Sequence, residues 1–433
     1  MNISILGTGY VGLVTGACLS DIGHRVTCVD SNRSKIAALK KSKLPFYEKD
    51  LRELVIKNQQ LNSLTFTTSY RTCAKNSIFF ICVDTPNDSD GNPNLSNLEN
   101  LLLTLLQNIK SNSLLIIKST VPLGTVESIQ QQCNQFTQEL PFDIEVCSNP
   151  EFLREGSAVH DFLSPDRVIL GAKSAIATKQ LKQIYSPLKL PRNKLLSMSV
   201  ESAELTKYAA NCFLATKISF MNEIAQIADS SGANIHEVKL GVGSDKRIGG
   251  LFLNSGIGFG GSCFPKDLLA LISTQNKFNL RDGILKKTIE VNYNQLDYFL
   301  EKIYSCFGAS LVTKNIAIWG TAFKPETDDM RESVAIKLIK ALAPKVNSLC
   351  IYDPLCSKQS IKLELRECKN FTIVQSKDIA ISNADALIIC TESSEFMAPN
   401  YSNLEHLTVF DGRNILDKSA LNMHGIKYYG VGI

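Results

Sequence analysis

Residues 258–267 read Gly-Phe-Gly-Gly-Ser-Cys-Phe-Pro-Lys-Asp, which sets a cysteine on a glycine-rich loop directly ahead of a helix start. Pro265 suits the first helical turn, where its missing N–H would have no partner. Cys263 would then face the positive end of the helix dipole with Lys266 nearby, and both favour thiolate over thiol. A thiolate so placed is a nucleophile for covalent catalysis. Gly258, Gly260 and Gly261 are read as room for a bulky ligand to approach the backbone.

A second chemistry-bearing pattern lies at the amino terminus. Ile3-Ser4-Ile5-Leu6 runs straight into Gly7-Thr8-Gly9-Tyr10-Val11-Gly12, a helical pattern follows, and a strand over 26–29 ends at Asp30. Strand, glycine turn, helix and an acid about 20 residues on form the fingerprint of dinucleotide binding. Gly7 permits the tight turn, Gly9 lets a pyrophosphate sit on the helix N-terminus, and Gly12 allows helix and strand to close together. Asp30 would accept hydrogen bonds from the adenosine ribose hydroxyls and repel a 2′-phosphate. The pattern therefore favours NAD over NADP, with FAD as the competing reading.

Other polar clusters follow strand-like runs. Glu151-Phe152-Leu153-Arg154-Glu155 supplies two carboxylates and a guanidinium just past a strand end. Charges packed there are costly unless a ligand or partner satisfies them. Lys207 and Asn211, spaced i, i+4, share one helix face. Lys324, shortly after Gly320, is placed to contact a phosphate.

These side chains need a scaffold, and the hydrophobic pattern supplies one. From 1 to about 200, strands alternate with helices, as in a doubly wound parallel sheet. Apolar runs over 77–83, 114–118 and 144–147 lead to Thr85, Thr120 and Glu151. Ligands of open α/β sheets bind beyond the carboxyl ends of strands, so these three should surround the cofactor and the chemistry. Residues 202–231 lack proline and glycine and keep a helical period; a helix of about 28 residues spans roughly 42 Å. Helices over 267–274 and 284–299 complete an all-helical centre. Strands over 316–320, 349–353, 386–390 and 408–410, with a helix over 333–342, make the last third an incomplete copy of the first plan. It lacks G-x-G-x-x-G, so a second NAD site is not expected there, but an anionic nucleotide at its strand ends is. The predicted class is α/β, with an NAD-binding Rossmann domain over 1–199. A central helical domain over 200–300 and a Rossmann-like domain over 301–433 follow.

Composition narrows the function classes. The 433 residues are 44% hydrophobic and 20% charged, with a formal charge of +4 and no bunching of basic residues. Nucleic acid and membrane surfaces are poor partners for such a chain, and no apolar run approaches the roughly 20 residues that span a bilayer. The first residues enter a strand at once, so no signal peptide is expected. Thirteen cysteines, an odd number without framework spacing, point to reduced thiols in the cytoplasm. No C-x-x-C occurs and the five histidines are scattered, so no zinc or other metal site is expected.

The order GTGYVG, Asp30, STVPLGT, NPEFLREG, AELTKYAANCFLATK, GFGGSCFPKD and GTAFKPETDDMRES resembles the UDP-glucose/GDP-mannose dehydrogenase family. The similarity runs the whole length, down to Gly412-Arg413-Asn414. Ser-Asp-Lys-Arg-Ile-Gly at 244–249 and Phe264 directly after the cysteine look like its UDP-glucose branch. Asp84 stands where the family usually has glycine, a change read as tolerated beside the adenosine end.

The resemblance implies a four-electron oxidation in the cytoplasm, from UDP-glucose, two NAD and water to UDP-glucuronate, for polysaccharide or nucleotide-sugar synthesis. It implies Asp267 as base with a water near Thr120, Lys207 and Asn211 holding the oxyanion, Cys263 as nucleophile and Glu151 activating the hydrolytic water. It places Gly7, Gly9, Tyr10, Val11, Gly12, Asp30, Lys35, Thr85, Thr120, Glu155, Lys266 and Arg331 at NAD. It places Glu151 to Glu155 (Phe152, Leu153 and Arg154 between them), Lys207, Asn211, Phe252, Leu253, Asn254, Ser255, Gly256, Gly260 and Lys324 at the sugar nucleotide. Arg247 is expected at the sugar or phosphate, reaching in from a neighbouring subunit, since the long helix forms a dimer interface in relatives. Three alternatives stay open: a sister enzyme acting on GDP-mannose, a two-electron hydroxyacid dehydrogenase, and a non-catalytic nucleotide-sugar sensor.

Overall fold

The computed structural model describes residues 1–88 and 91–433. The chain divides into two compact units, one of residues 1–210 with 269–278, the other of residues 211–268 with 279–433.

The first unit is built on an eight-stranded sheet. Its strands are β1 (Asn2–Leu6), β2 (Arg25–Val29), β3 (Leu64–Thr67), β4 (Ile78–Ile81), β5 (Ser113–Ile117), β6 (Ile144–Ser148), β7 (Val168–Gly171) and β8 (Leu195–Met198). They lie in the order β3-β2-β1-β4-β5-β6-β7-β8. β4 (IFFI) and β5 (SLLII) are buried along their whole length, as strands covered on both faces must be. Leu13, Val14, Leu19 and Leu181 cover one face, and Leu98, Leu102, Leu105 and Ile129 the other.

The sheet departs from the predicted all-parallel plan at one place: β7 runs antiparallel to β6, with Ser148 opposite Gly171. A parallel neighbour needs a crossover, whereas the 149–167 segment leaves β6 and re-enters the sheet at the same end. Glu151 and its neighbours are thereby kept at the carboxyl end of β6, on the ligand side of the sheet.

The second unit carries a six-stranded parallel sheet of β9 (Asn315–Trp319), β10 (Ser348–Tyr352), β11 (Phe371–Ile373), β12 (Ala386–Ile389), β13 (Thr408–Asp411) and β14 (Lys427–Tyr429). The order is β11-β10-β9-β12-β13-β14, so strand order reverses between β9 and β12. β3, β7, β8, β11 and β14, each of three or four residues, were not anticipated from the sequence. Helices occupy the middle of the chain: Val200–Ser231 with 32 residues, Ile235–Ser244, Phe264–Lys277 and Ile284–Phe307.

The first βα turn is repeated in the second sheet. Gly7 (φ 95°) donates its N–H to Val29 O, and Gly320 (φ 91°) donates to Tyr352 O, each at 2.8 Å. Both need the left-handed region that glycine enters without a Cβ penalty. Asp30 at the end of β2 accepts the N–H and Oγ of Thr8 (3.0 and 2.7 Å); Asp353 at the end of β10 accepts those of Thr321 (2.7 and 3.0 Å). The acids then differ. Asp30 Oδ1 accepts one N–H, from Asn32, whereas Asp353 Oδ1 accepts two, from Leu355 and Cys356.

Candidate active site

In the first unit the glycine turn is tight where a helix must close on a strand and open where a ligand would sit. A Cβ on Gly12 would lie 2.0 Å from Gly7 O, while one on Gly9 would meet, among the described residues outside its own turn and helix, only Asp84 Oδ1, at 3.7 Å. Burial would raise the pKa of Asp30, but N–H donors from Asn32 and Thr8, the Thr8 hydroxyl and Lys35 (Nζ–Oδ2 2.9 Å) hold it below the usual carboxylate range. Asp30 is thus an anion with acceptor capacity on Oδ1, fit for ribose hydroxyls and hostile to a 2′-phosphate. These residues fit NAD. Lys35, expected at the cofactor, is engaged with Asp30 in this structure. Thr85 Oγ1 donates to Thr120 O at 2.6 Å and ties two strand ends together.

Asp84, read above as standing beside the adenosine end, lies next to the phosphate-turn glycine Gly9. Like charges meet there if a pyrophosphate occupies the turn. Asp84→Asn should therefore tighten NAD binding about two- to fivefold at low salt, with a smaller gain at high salt, because an exposed charge is worth about 0.2–1 kcal/mol and is screened. Titration calorimetry at two ionic strengths checks this; equal affinities would refute it.

At the end of β6, Glu151 and Lys207 form a buried ion pair of 2.8 Å, with side chains 7% and 4% exposed. Leu153 donates its N–H to Glu151 Oε2 at 2.6 Å. Burial would push the Glu151 carboxyl up, but the charge and hydrogen bond of Lys207, the Leu153 N–H and the charge of Lys118 together hold it below the usual range. The sequence suggested one charged cluster over 151–155, and the structure separates its members. Arg154 turns to Asp161 in a bidentate pair (2.6 and 2.9 Å), and Phe152 lies under the Arg167 guanidinium, 3.7 Å from ring centroid to Cζ. Leu153 packs against the apolar core. Glu155 precedes Gly156, whose N–H is bonded to Glu48.

The second unit holds the nucleophile loop. Cys263 precedes the helix Phe264–Lys277, and its C=O accepts the Asp267 N–H at 2.8 Å, so the thiol-bearing residue caps the helix start. None of the thirteen cysteines is in a disulfide, and Cys263 alone among those of the described residues is exposed. One turn on, buried Asp267 accepts Asn211 Nδ2 and Lys266 Nζ, each at 2.7 Å. Asn211 keeps its second amide hydrogen for another acceptor. Lys266, expected at NAD, is here the carboxylate's ion-pair partner. Lys207 and Asn211 are four residues apart on the long helix, hence on one face of it.

The loop glycines serve a different purpose from the one expected. A Cβ on Gly260 would meet Glu332 O at 2.1 Å, one on Gly261 the Phe323 ring at 2.7 Å, and one on Gly258 Asn292 Oδ1 at 3.0 Å. On the side where a Cβ would stand, they admit the chain's own segments. Asn292 Oδ1 accepts the Phe259 N–H (2.8 Å), Asn222 Oδ1 accepts the Gly256 N–H (2.8 Å), and Gln295 donates to Gly256 O (2.8 Å). Phe252 is held at φ 62°, an uncommon setting for a bulky side chain that often marks a ligand-binding segment. Leu253, Ser255 and Gly256 are buried and Asn254 is exposed.

Lys324 lines a cavity of about 150 Å³ beyond β9, β10 and β12, with Thr327, Asp353 and Thr391. Arg247 and Arg331 are exposed and paired with Asp245 and Asp329, each at 2.6 Å.

Several structuring residues escaped the sequence reading. Glu48 accepts Tyr10 OH (2.6 Å) and the N–H groups of Gly156 (2.7 Å) and Ala158 (2.8 Å), linking positions 108 and 110 residues apart. No local pattern announces such a contact. Lys118 carried a signal: a lone charge ending the apolar run Leu-Leu-Ile-Ile, where a strand end enters a buried site.

Comparisons with known proteins cover the whole chain. Three family models match in succession: the NAD binding domain of the UDP-glucose/GDP-mannose dehydrogenase family over 1–189, its central domain over 201–294 and its UDP binding domain over 317–418. The chain is 40% identical to the UDP-glucose 6-dehydrogenase of Bacillus subtilis, covering 100% of this chain and 98% of that one. It is 37% identical to that of Pseudomonas aeruginosa, covering 100% and 97%. A solved UDP-glucose dehydrogenase from Pyrobaculum islandicum superposes with a TM-score of 0.91 at 33% identity, covering 100% and 97%. With the glycine turn, Asp30 and the helix-capping cysteine in place, the chain belongs to the UDP-glucose/GDP-mannose dehydrogenase family and is an NAD-dependent oxidoreductase.

Proposed function

We propose that this enzyme oxidises UDP-glucose to UDP-glucuronate, consuming two NAD and one water per sugar. The observation that carries this reading is Cys263: an exposed thiol at a helix start, one turn ahead of a buried carboxylate bonded to an amide and an ammonium. A two-electron alcohol dehydrogenase has no use for such a thiol. The family match and the UDP-glucose 6-dehydrogenases among the relatives favour this sugar over GDP-mannose.

NAD, when bound, accepts a hydride from the substrate carbon in each oxidation. Asp267 takes the C6 hydroxyl proton in the first, with Thr120 orienting a water. The Cys263 thiolate then adds to the aldehyde carbon, and the new oxyanion is held by Lys207 and the second N–H of Asn211. Loss of the second hydride turns this thiohemiacetal into a thioester. Glu151, kept ionised by its lysines, takes a proton from water as that water adds to the thioester carbon. Sulfur leaves, and the acid is released. Tyr10, Val11, Asp30, Lys35, Thr85, Glu155, Lys266 and Arg331 would contact NAD. Residues 252–256, Gly260, Arg247 and Lys324 would contact the sugar nucleotide.

Leu205, Phe213, Phe220 and Ile227 stand exposed at seven- or eight-residue spacing on the long helix, which supports a homodimer formed along it. The domain limits 1–199, 200–300 and 301–433 fit this division of labour. No helix of the described residues is long and apolar enough to cross a membrane, in keeping with a cytoplasmic enzyme.

The test is stoichiometry: two NADH should form per UDP-glucose consumed, with UDP-glucuronate as product. One NADH per sugar, or turnover of GDP-mannose instead, would overturn the assignment.

A further inference from the structure

Lys118 is a buried cation to which the scheme above gives no contact with either ligand. It follows β5 directly, is 4% exposed, and among the described residues its ammonium reaches only the oxygens of Asn149, Oδ1 at 3.2 Å and O at 3.4 Å. No carboxylate of the described residues is bonded to it. A buried ammonium on neutral acceptors is costly, and burial drives its pKa down to about 8. Asn149 is itself fixed: it accepts Tyr185 OH at 2.5 Å and donates to Ile169 O at 2.8 Å. Two residues further along this anchored turn is Glu151.

Lys118 is close enough to Glu151 and Lys207 to feel both charges. The cluster holds two ammonium groups and one carboxylate, an excess positive charge buried where the proposed chemistry creates a transient anion. Cys82 also faces Lys118, and Tyr10 and Arg167 sense Glu151 from neighbouring elements. Cys82 is held protonated by burial, and burial together with Glu48 pushes the Tyr10 phenol far up, so neither adds charge, while the Arg167 guanidinium adds a further positive one.

We propose that Lys118 is a positioning residue: it anchors the Asn149–Glu151 turn and supplies a buried positive charge that keeps Glu151 ionised while Lys207 is engaged by the substrate oxyanion. This rests on the roles proposed above for Glu151 and Lys207. Without Lys118, Glu151 would become more basic when Lys207 is drawn away, and protonated Glu151 cannot activate water. The step affected is thioester hydrolysis, not the first oxidation.

The test uses the full-length enzyme with Lys118→Gln, which keeps a donor for Asn149 and removes the charge, Lys118→Met, which removes both, and Lys118→Arg, which keeps the charge. For the Gln and Met variants the acid limb of the kcat profile should move up by about one pH unit, the size of shift a nearby charge produces. The mass of the acyl adduct on Cys263 should accumulate at quench below that limb, while the single-turnover rate of the first NADH stays within about twofold of the parent. Lys118→Arg should restore the limb. Should Lys118→Met fail to fold, Lys118→Gln carries the test. An unchanged acid limb and no added adduct in Lys118→Gln would refute the role of Lys118. A parent enzyme that forms neither adduct nor two NADH would instead refute the proposed function, so the two failures are told apart.

Discussion

Cys263→Ala is expected to stop formation of the acid while leaving both ligands bound. Removing the nucleophile of a covalent mechanism commonly costs on the order of 10⁴-fold or more in turnover, and no other cysteine can stand in, since the remaining twelve are buried or half-buried. The side chain is exposed and packs into no core, so the fold should change by no more than about 0.5 kcal/mol. Affinities for UDP-glucose and NAD by calorimetry should stay within about twofold, and intact mass after incubation with both should show no adduct. Acid formation at the parent rate, or an adduct elsewhere, would remove the cysteine from the mechanism.

Lys207→Met should harm both catalysis and folding, with a distinctive dependence on pH. Losing a donor to a developing oxyanion costs about 10²–10³ in kcat. Losing the partner of a buried carboxylate costs about 3–5 kcal/mol, toward the lower figure here because Lys118 remains. In the parent, the depressed Glu151 carboxyl contributes stability above its ordinary pKa, lost as pH falls through its lower folded value. In the variant, the same carboxylate is buried with less compensation, so its pKa rises and its ionised form destabilises. The difference in unfolding free energy should be large at neutral pH and narrow as pH drops through the carboxylate range. Denaturant melts at pH 7 and pH 4 check this; a pH-independent difference would mean the pair contributes packing rather than charge.

How much of this could be read beforehand depended on the range of each interaction. The glycine turn, Asp30 and the Cys263 loop are local patterns in which steric need and chemistry are written in consecutive residues. The long helix and the strand ends at Thr85, Thr120 and Glu151 follow from periodicity over a few turns. Contacts made across the chain left no such trace. Glu48 reaches the 156–158 backbone, Lys118 meets Asn149, and Asn292 grips Phe259, each through a fold that periodicity cannot describe. β3, β7, β8, β11 and β14 were missed because so short a run shows no alternation to detect, whereas β4, β12 and β13, as short, stand out as apolar runs. The neighbours of the loop glycines were out of reach for a related reason. A missing Cβ signals a close approach but does not name what approaches, and only the packed chain identifies Glu332 and Phe323.

The two βα turns carry a lesson about redesign. Asp30 and Asp353 hold equivalent places, but Asp353 Oδ2 takes the Ala322 N–H where Asp30 Oδ2 takes Lys35, and Asp353 Oδ1 takes a second amide hydrogen. At Asp30 that oxygen remains available to a sugar hydroxyl; at Asp353 the following turn has closed over it and made the carboxylate a keystone. Grafting the missing glycines into the later copy would not create a second dinucleotide pocket, because its acid is already committed to bracing its own backbone.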